Sequence, residues 1–433
     1  MAEHTSPPPL PSGGLSREAV ALREVGHTTI STAARRLLFV AFLIAIAVVP
    51  LAEWAGVREN LLDGLRSIVQ RVPDAGGASP WEQLLARNRI VLSAMNGFER
   101  RLEDEAVIGR TLRPPVQTWM TGWLHAGNER VYVGRDGWLF FRADVEYVTG
   151  PGFLDPAQMA RRIESAAEWT SPPSPDPRVA LVAFHQDLQA RGITLVVMPT
   201  PVKPSVHPEW LASETRDIAA PLHNASYAAF VEELRRGGVL VFDPSAPLVA
   251  SRQAGPAYLA TDTHWRPEAM ETVADLAAAF VAAHGQLPHV DDPGYRIERM
   301  EMQSAGDTAR MLDLPRDTAL YPPETVWLRR VLLPDDSLWR STRESDVLVL
   351  GDSFANIYSL ESMGWGTSAG FVEQLSYALR RPVDRLVQND EGAVATRAML
   401  QRDPERLAGK RVVLYQFAVR ELAQGDWQVL RLP

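Results

Sequence analysis

The sequence predicts an α/β protein in which helices cover both faces of a parallel sheet, preceded by one N-terminal transmembrane helix. Three observations carry this. Ile193–Met198, Asp346–Leu350 and Val412–Phe417 are short apolar runs with little polar alternation, as expected of strands buried on both faces. Helical patterns separate them, the order that builds parallel crossovers. Leu37–Ala52 is sixteen residues without a charge, directly behind Arg35 and Arg36.

Residues 1–34 contain PPPLPSGG and few bulky apolar side chains, the composition of a disordered cytoplasmic tail. Residues 35–54 form the expected single-pass signal anchor. A span needs roughly 20 apolar residues, so the stretch is short, and Ala33, Ala34 and Trp54 extend it if the arginines snorkel. The other reading is a cleavable signal peptide, whose apolar region runs about 7–15 residues. A 36-residue leader is long for one, and no clear small-x-small site follows it before Glu53. Arg17, Arg23, Arg35 and Arg36 precede the span, so the N-terminus is expected in the cytoplasm and everything beyond Trp54 in the periplasm, held at the inner membrane.

Residues 55–128 read as a helical stalk or accessory segment. Trp81–Ala106 repeats apolar residues at helical spacing, Ser79-Pro80 suits a helix start, and Arg113-Pro114-Pro115 is expected to end the unit. Residues 129–433 form the main domain. VYVGRDGWLFF (131–141) predicts a hairpin turning at Arg135-Asp136-Gly137. After the Pro-rich SPPSPDP (171–177) come a helix over 179–190, a strand over 193–198, a helix over 226–236 and a strand over 239–242. A helix over 268–284, with Pro267 in its first turn, leads to a polar, Pro-broken insertion. A strand over 346–350, a helix over 370–380, a strand over 385–387, a helix over 393–401 and a strand over 412–417 complete the domain.

Composition excludes several functions. The formal net charge of the 433-residue chain is −9, which disfavours a phosphate backbone as partner, so no nucleic acid is expected. The chain has no cysteine, which removes disulfides, thiolate metal sites and a cysteine nucleophile. His284 and His289 show no metal-ligand pattern.

Two tracts carry chemistry. Asp346–Leu350 runs into Gly351-Asp352-Ser353-Phe354-Ala355, which places a serine at the C-terminal edge of a parallel strand, where open α/β sheets bind ligands. The Ser353 amide can serve as an oxyanion donor. The plainer alternative is that Asp352 and Ser353 cap a following helix. Thr261-Asp262-Thr263-His264-Trp265 lets Asp262 accept the proton-bearing ring nitrogen of His264, or else is a surface loop with a capping side chain.

Together, D-x-H-W upstream and G-D-S-F-A downstream resemble the SGNH-hydrolase-like domain, a flavodoxin-like parallel sheet, of the alginate O-acetyltransferase family. GRDGWLFF (134–141) is similar to that family's opening hairpin and MPTPVKPSVHPEWL (198–211) to its P-x-K-x-x-x-x-P segment. QNDEGAVATR (388–397) resembles the tract after the nucleophile, and VLYQFAVREL (413–422) the terminal strand. The resemblance implies Ser353 as nucleophile, His264 as general base and acid, and Asp262 as its orienter, with Asp352 structural. It implies oxyanion or substrate roles for Asn389 and Arg397. Tyr358, Trp365, Tyr415 and Trp265 are aromatic candidates for stacking on sugar, with core packing as the alternative. Two positions depart from the family's pattern: Asp390-Glu391 stands where more glycine is expected, and Gln416 where an acid is common. The implied activity is transfer of an acetyl group, through acetyl-serine, onto hydroxyls of an exopolysaccharide. The donor would be an integral-membrane O-acyltransferase, and no metal or organic cofactor is required. A polysaccharide acetyl-esterase with the same triad, or a non-catalytic scaffold of an export complex, are the alternatives.

Overall fold

A computed structural model describes residues 31–44, 46, 47, 79, 81, 83, 84, 87, 88, 91, 92, 95 and 107–433 except 166–171, 216, 217, 316, 317, 390 and 391. The chain divides into two compact units between Thr111 and Leu112. In the first, residues 32–44, 46 and 47 are helical, and Leu37, Leu38, Phe39 and Phe42 stand exposed. Among the described residues no helix is long and apolar enough to cross a membrane; residue 45 and residues 48–54 of the expected anchor lie outside them, as does most of 81–106.

Helix α1, Val107–Leu124, runs through Pro114 and Pro115, where the sequence suggested an end. Both prolines lie inside the helix, where each removes a backbone donor from the i→i−4 ladder. The hairpin follows as β1 (Val131–Val133) and β2 (Leu139–Phe141), paired antiparallel. Two further helices were not anticipated: α2 (Arg142–Thr149) and α3 (Pro156–Glu164). Asp155-Pro156 opens α3 and Asp176-Pro177 opens α4 (Pro177–Gln189); in each case the aspartate accepts an amide of the first turn, at 2.9 and 3.0 Å.

The central sheet contains β3 (Thr194–Thr200), β4 (Leu240–Val241), β7 (Val347–Gly351), β8 (Asp384–Val387) and β9 (Val412–Ala418), in the order β4-β3-β9-β7-β8, all parallel. Burial on both faces explains the unbroken apolar runs. Leu195, Val197, Leu348, Leu350, Val413 and Tyr415 point into one core with α4, α5 (Tyr227–Arg236) and α8 (Val394–Arg402). Val196, Met198, Val347, Val349, Val412 and Leu414 point into the other, with α6 (Pro267–His284) and α7 (Phe371–Leu379). The expected polar insertion contains an antiparallel pair of nine-residue strands, β5 (Arg296–Ser304) and β6 (Glu324–Leu332). Only β6 buries side chains fully, through Val326, Leu328 and Val331, so its apolar face is narrow and its partner strand reads as polar.

Candidate active site

Strand β7 ends at Gly351, and the next residues turn at once into a short helix, Ser353–Asn356. A side chain at 351 would place its Cβ 2.8 Å from that of Ala355 and 3.1 Å from Gln416 Oε1, so close approach requires glycine there. Asp352 braces the turn. Its Oδ1 accepts from the Phe354 amide at 2.9 Å and its Oδ2 from the Ala418 amide at 2.6 Å. Gln416 accepts from the Asp352 amide at 3.0 Å and donates to Asp352 Oδ1 at 2.9 Å and Thr200 Oγ1 at 3.0 Å. An amide at 416 can donate to a carboxylate where an acid would repel it, which accounts for this departure from the expected residue. Among the described residues no acceptor meets the Ser353 amide.

His264 is carried by a tight loop. Tyr258 and Trp265 bridge antiparallel, the Leu259 amide donates to the His264 carbonyl at 3.1 Å, and the Arg266 amide to that of Ala257 at 2.8 Å. Outside groups fix the tip. Glu324, first residue of β6, accepts from the amides of Ala260 at 3.0 Å and Thr261 at 2.7 Å. Lys203 is fully buried and donates to the carbonyls of Leu139 and Ala260 at 2.6 and 3.1 Å. It joins the β1–β2 hairpin to this loop, and burial brings its pKa down to about 8.

These frames bring three side chains into one line. Asp262 Oδ1 lies 2.7 Å from His264 Nδ1, and His264 Nε2 lies 2.8 Å from Ser353 Oγ. Asp262 accepts four hydrogen bonds: Oδ1 also takes the His264 amide at 3.1 Å, and Oδ2 takes the Asp307 amide and the Trp365 indole N–H, each at 2.9 Å. Burial, the largest single influence, favours the protonated acid, but the His264 bond and charge with these donors outweigh it and hold Asp262 below the usual carboxylate range. Burial likewise opposes protonation of His264, and the hydrogen bond and charge of Asp262, with the charge of Asp307, overcome it and raise the histidine. The Phe354 ring packs against the imidazole with 4.7 Å between centroids.

Asp307 is a second carboxylate that sequence reasoning missed. Its Oδ2 stands 3.7 Å from His264 Nδ1 and its Oδ1 accepts the Thr263 amide at 2.7 Å. Burial and the neighbouring Asp262 charge push its pKa up. Gly306 makes this approach possible, since a Cβ there would lie 1.9 Å from the Thr261 carbonyl oxygen. Asp262, His264 and Asp307 are the one carboxylate–histidine group among the described residues with metal-ligand proximity. However, His264 turns Nδ1 to Asp262 and Nε2 to Ser353, and both Asp262 oxygens already accept hydrogen bonds. His264 and Asp262 are thus already engaged in hydrogen bonds, and the donor set does not fit a cation.

Other sequence candidates lie elsewhere. Trp265, Tyr358, Trp365 and Tyr415 are all within 1% of full burial, so none offers a ring to a sugar. Trp265 Nε1 donates to the Phe354 carbonyl at 3.2 Å, the Tyr358 hydroxyl to the Trp265 carbonyl at 2.6 Å, and the Tyr415 hydroxyl to the Ala393 carbonyl. A hydroxyl or indole N–H in a closed core needs an internal acceptor, and these rings supply site framing and core. Arg397 is also buried; it donates to the Gln428 carbonyl at 2.9 Å, sits over the Trp427 ring and anchors the C-terminal segment. Asn389 does stand beside the turn that carries Ser353. It accepts from Asn356 Nδ2 at 3.0 Å and lines a cleft of about 410 Å³ with Asn356, Arg385 and Gln388. Asp390 and Glu391 lie outside the described residues.

Comparison with known proteins agrees with this architecture. Residues 131–419 match the family described as SGNH hydrolase-like domain, acetyltransferase AlgX. A probable alginate O-acetylase AlgJ of Pseudomonas putida is 28% identical over 311 residues, covering 69% of this chain and 72% of the relative. Its namesake in Pseudomonas aeruginosa is 32% identical over 157 residues, 36% of this chain and 34% of that protein. Among solved structures, the O-acetyltransferase domain of Pseudomonas putida AlgJ shares the fold, with a TM-score of 0.52 at 24% identity over 68% of this chain and 93% of the other.

Proposed function

We propose, since the chain belongs to the AlgX family of SGNH hydrolase-like acetyltransferase domains, that it transfers acetyl groups through acetyl-Ser353 onto hydroxyls of an exopolysaccharide of the alginate kind. The observation that carries this reading is the unbroken Ser353–His264–Asp262 line at 2.8 and 2.7 Å. In the first half-reaction His264 Nε2 takes the Ser353 proton while Oγ bonds to the carbonyl carbon of an acetyl donor. The Ser353 amide faces the oxyanion, with Asn389 beside it, and the donor's leaving oxygen departs with the proton from His264. In the second, a sugar hydroxyl gives its proton to His264 and attacks the acetyl carbon, and Ser353 recovers the proton as its ester bond breaks. Asp262 keeps Nδ1–H directed and balances the imidazolium.

The activated acetyl donor is assigned to an integral-membrane O-acyltransferase that passes the group outward, and the chain to the periplasmic face of the inner membrane. The arginines before Leu37 support that orientation. A periplasm-dependent reporter fused after Pro433 should be active, and activity of a cytoplasmic reporter at the same point would reverse the assignment. For the chemistry, mass spectrometry after exposure to an activated acetyl ester should find one acetyl on Ser353, and acetylated sugar should appear when alginate oligomers are added. Ser353→Ala and His264→Ala should each lower turnover by roughly 10⁴-fold, and the double variant little further, because the two act as a unit. Losses that multiply would assign them independent roles. Hydrolysis indifferent to acceptor, with acetyl stripped from pre-acetylated polymer, would instead make the enzyme an esterase.

A further inference from the structure

A cavity of about 830 Å³ opens beside Gly255 and Pro256, the residues leading into the His264 loop, and no member of the triad lines it. Its floor is aromatic. The indoles of Trp138 and Trp210 lie parallel, 5.4 Å apart with 4° between their planes, and His207 packs on Trp138 at 5.1 Å. Trp138 is buried in this stack and Trp210 is half-buried, so Trp210 is the more accessible ring.

The polar groups are fixed to one another. His207 Nε2 accepts the Ala257 amide at 2.9 Å, which leaves the ring proton on Nδ1, 2.8 Å from Glu209. Burial keeps the His207 pKa below its ordinary value, consistent with a neutral ring. Glu209 also faces Arg252 at 3.4 Å, and Arg252 donates to the carbonyls of Val206 at 3.2 Å and Ile218 at 3.3 Å. One carboxylate and one guanidinium therefore cancel, and the cation is committed. A phosphate ligand would need free positive charge and an acyl chain a cavity without a carboxylate, whereas a uronate ring can stack here with its single carboxylate turned to solvent. A platform ring with a preset carboxylate and the Gln253 amide at the rim suits a pyranose, whose C–H face stacks and whose hydroxyls hydrogen-bond.

We propose that this cavity is a secondary saccharide subsite that holds a ring of the acceptor polymer away from the nucleophile, a proposal that rests on the acetyltransferase reading. Gly255 is four residues before Leu259, which bonds to His264, so roughly 14 Å of extended chain at most separates them. A few sugar rings bridge that span, so one long acceptor can occupy the subsite and reach the Ser353 line together.

The test uses the full chain with two alginate acceptors, a disaccharide and a long oligomer. Trp210→Ala removes the platform. Ala246→Trp, from an exposed helix position on the cavity wall, fills the space and carries the test alone if Trp210→Ala lowers the melting temperature enough to unfold the protein. Each should raise KM for the long oligomer roughly three- to tenfold, while the disaccharide KM in Ala246→Trp stays at the wild-type value. An unchanged KM for the long oligomer overturns the subsite. Should no acetyl transfer occur at all, calorimetry on Ser353→Ala protein with the long alginate oligomer or a cello-oligosaccharide decides. Binding abolished by Ala246→Trp upholds the subsite, whereas absent binding, or binding indifferent to that substitution, overturns it. Because the cavity has no net charge, binding should differ little between low and high salt, and a steep salt dependence would also overturn it.

Discussion

Gly306→Ala should disable the enzyme without altering any reacting group. A Cβ at this position would stand 1.9 Å from the Thr261 carbonyl oxygen and 2.6 Å from the Asp262 amide nitrogen. Non-bonded atoms settle at about 3.5 Å, so the two backbone segments must separate by roughly 1.5 Å. Both belong to the frame of the acid: one carries Asp262, the other the Asp307 amide that Asp262 accepts at 2.9 Å. A misplacement of about 1 Å in a catalytic array costs on the order of 10²-fold in rate, so kcat should fall at least about 100-fold. The assay is the pre-steady-state burst of a chromogenic acetyl ester, with thermal unfolding followed on the same sample. Gly409→Ala serves as the counterpart. That residue has φ +75° and nothing within 4 Å of a new Cβ, so the substitution should cost about 1–2 kcal/mol of stability and leave the burst intact. A folded Gly306→Ala enzyme with a near wild-type burst would refute the argument that this backbone contact aligns the triad.

Asp307→Asn should shift the acid limb of the kcat/KM profile to lower pH. His264 works as a base when neutral, Asp262 and Asp307 raise its pKa while Arg420 opposes them, and losing one anion lets it deprotonate at lower pH; a profile that stays in place would deny Asp307 any electrostatic role. Glu271 has its pKa raised to about 7 by burial, against the pull of Arg329. A raised folded-state pKa gives stability that is present below the unfolded value and lost as pH rises through about 7. Glu271→Gln should therefore flatten the decline in denaturant midpoint between about pH 4.5 and 7, and an unchanged slope would assign the decline to other groups.

Strand positions and the placement of Ser353 at a strand end were legible because their constraints are local. A strand buried on both faces must be apolar throughout, and Val347–Leu350 shows this within four residues. The two-residue spacing of Asp262 and His264 puts their side chains in reach of one another in a turn. What holds Asp262 and the loop before it was not legible, because Asp307, Glu324 and Trp365 come from segments with no local signature of that duty. Strand β5, with Arg299, Glu301 and Gln303 facing solvent, resembles a polar loop until its partner β6 is known. The aromatic residues failed as binding candidates for a related reason: sequence shows that Tyr358 or Trp365 has a polar tip, but not whether that tip meets water or a carbonyl inside the core.

The scattered origin of these supports also sets the order in which the site can form during synthesis and refolding. Asp262 waits 45 residues for Asp307 and 103 for Trp365, while His264 waits 89 for Ser353. Closing such loops uses chain entropy before any contact rewards it. A nascent chain through Leu350 holds Asp262 and His264 without Ser353. Ser353 then emerges ahead of Trp365, which secures Asp262. Completion of the Ser353–His264–Asp262 line is therefore a late event in folding. In refolding, labelling of Ser353 by an acyl probe should lag behind recovery of the helical signal.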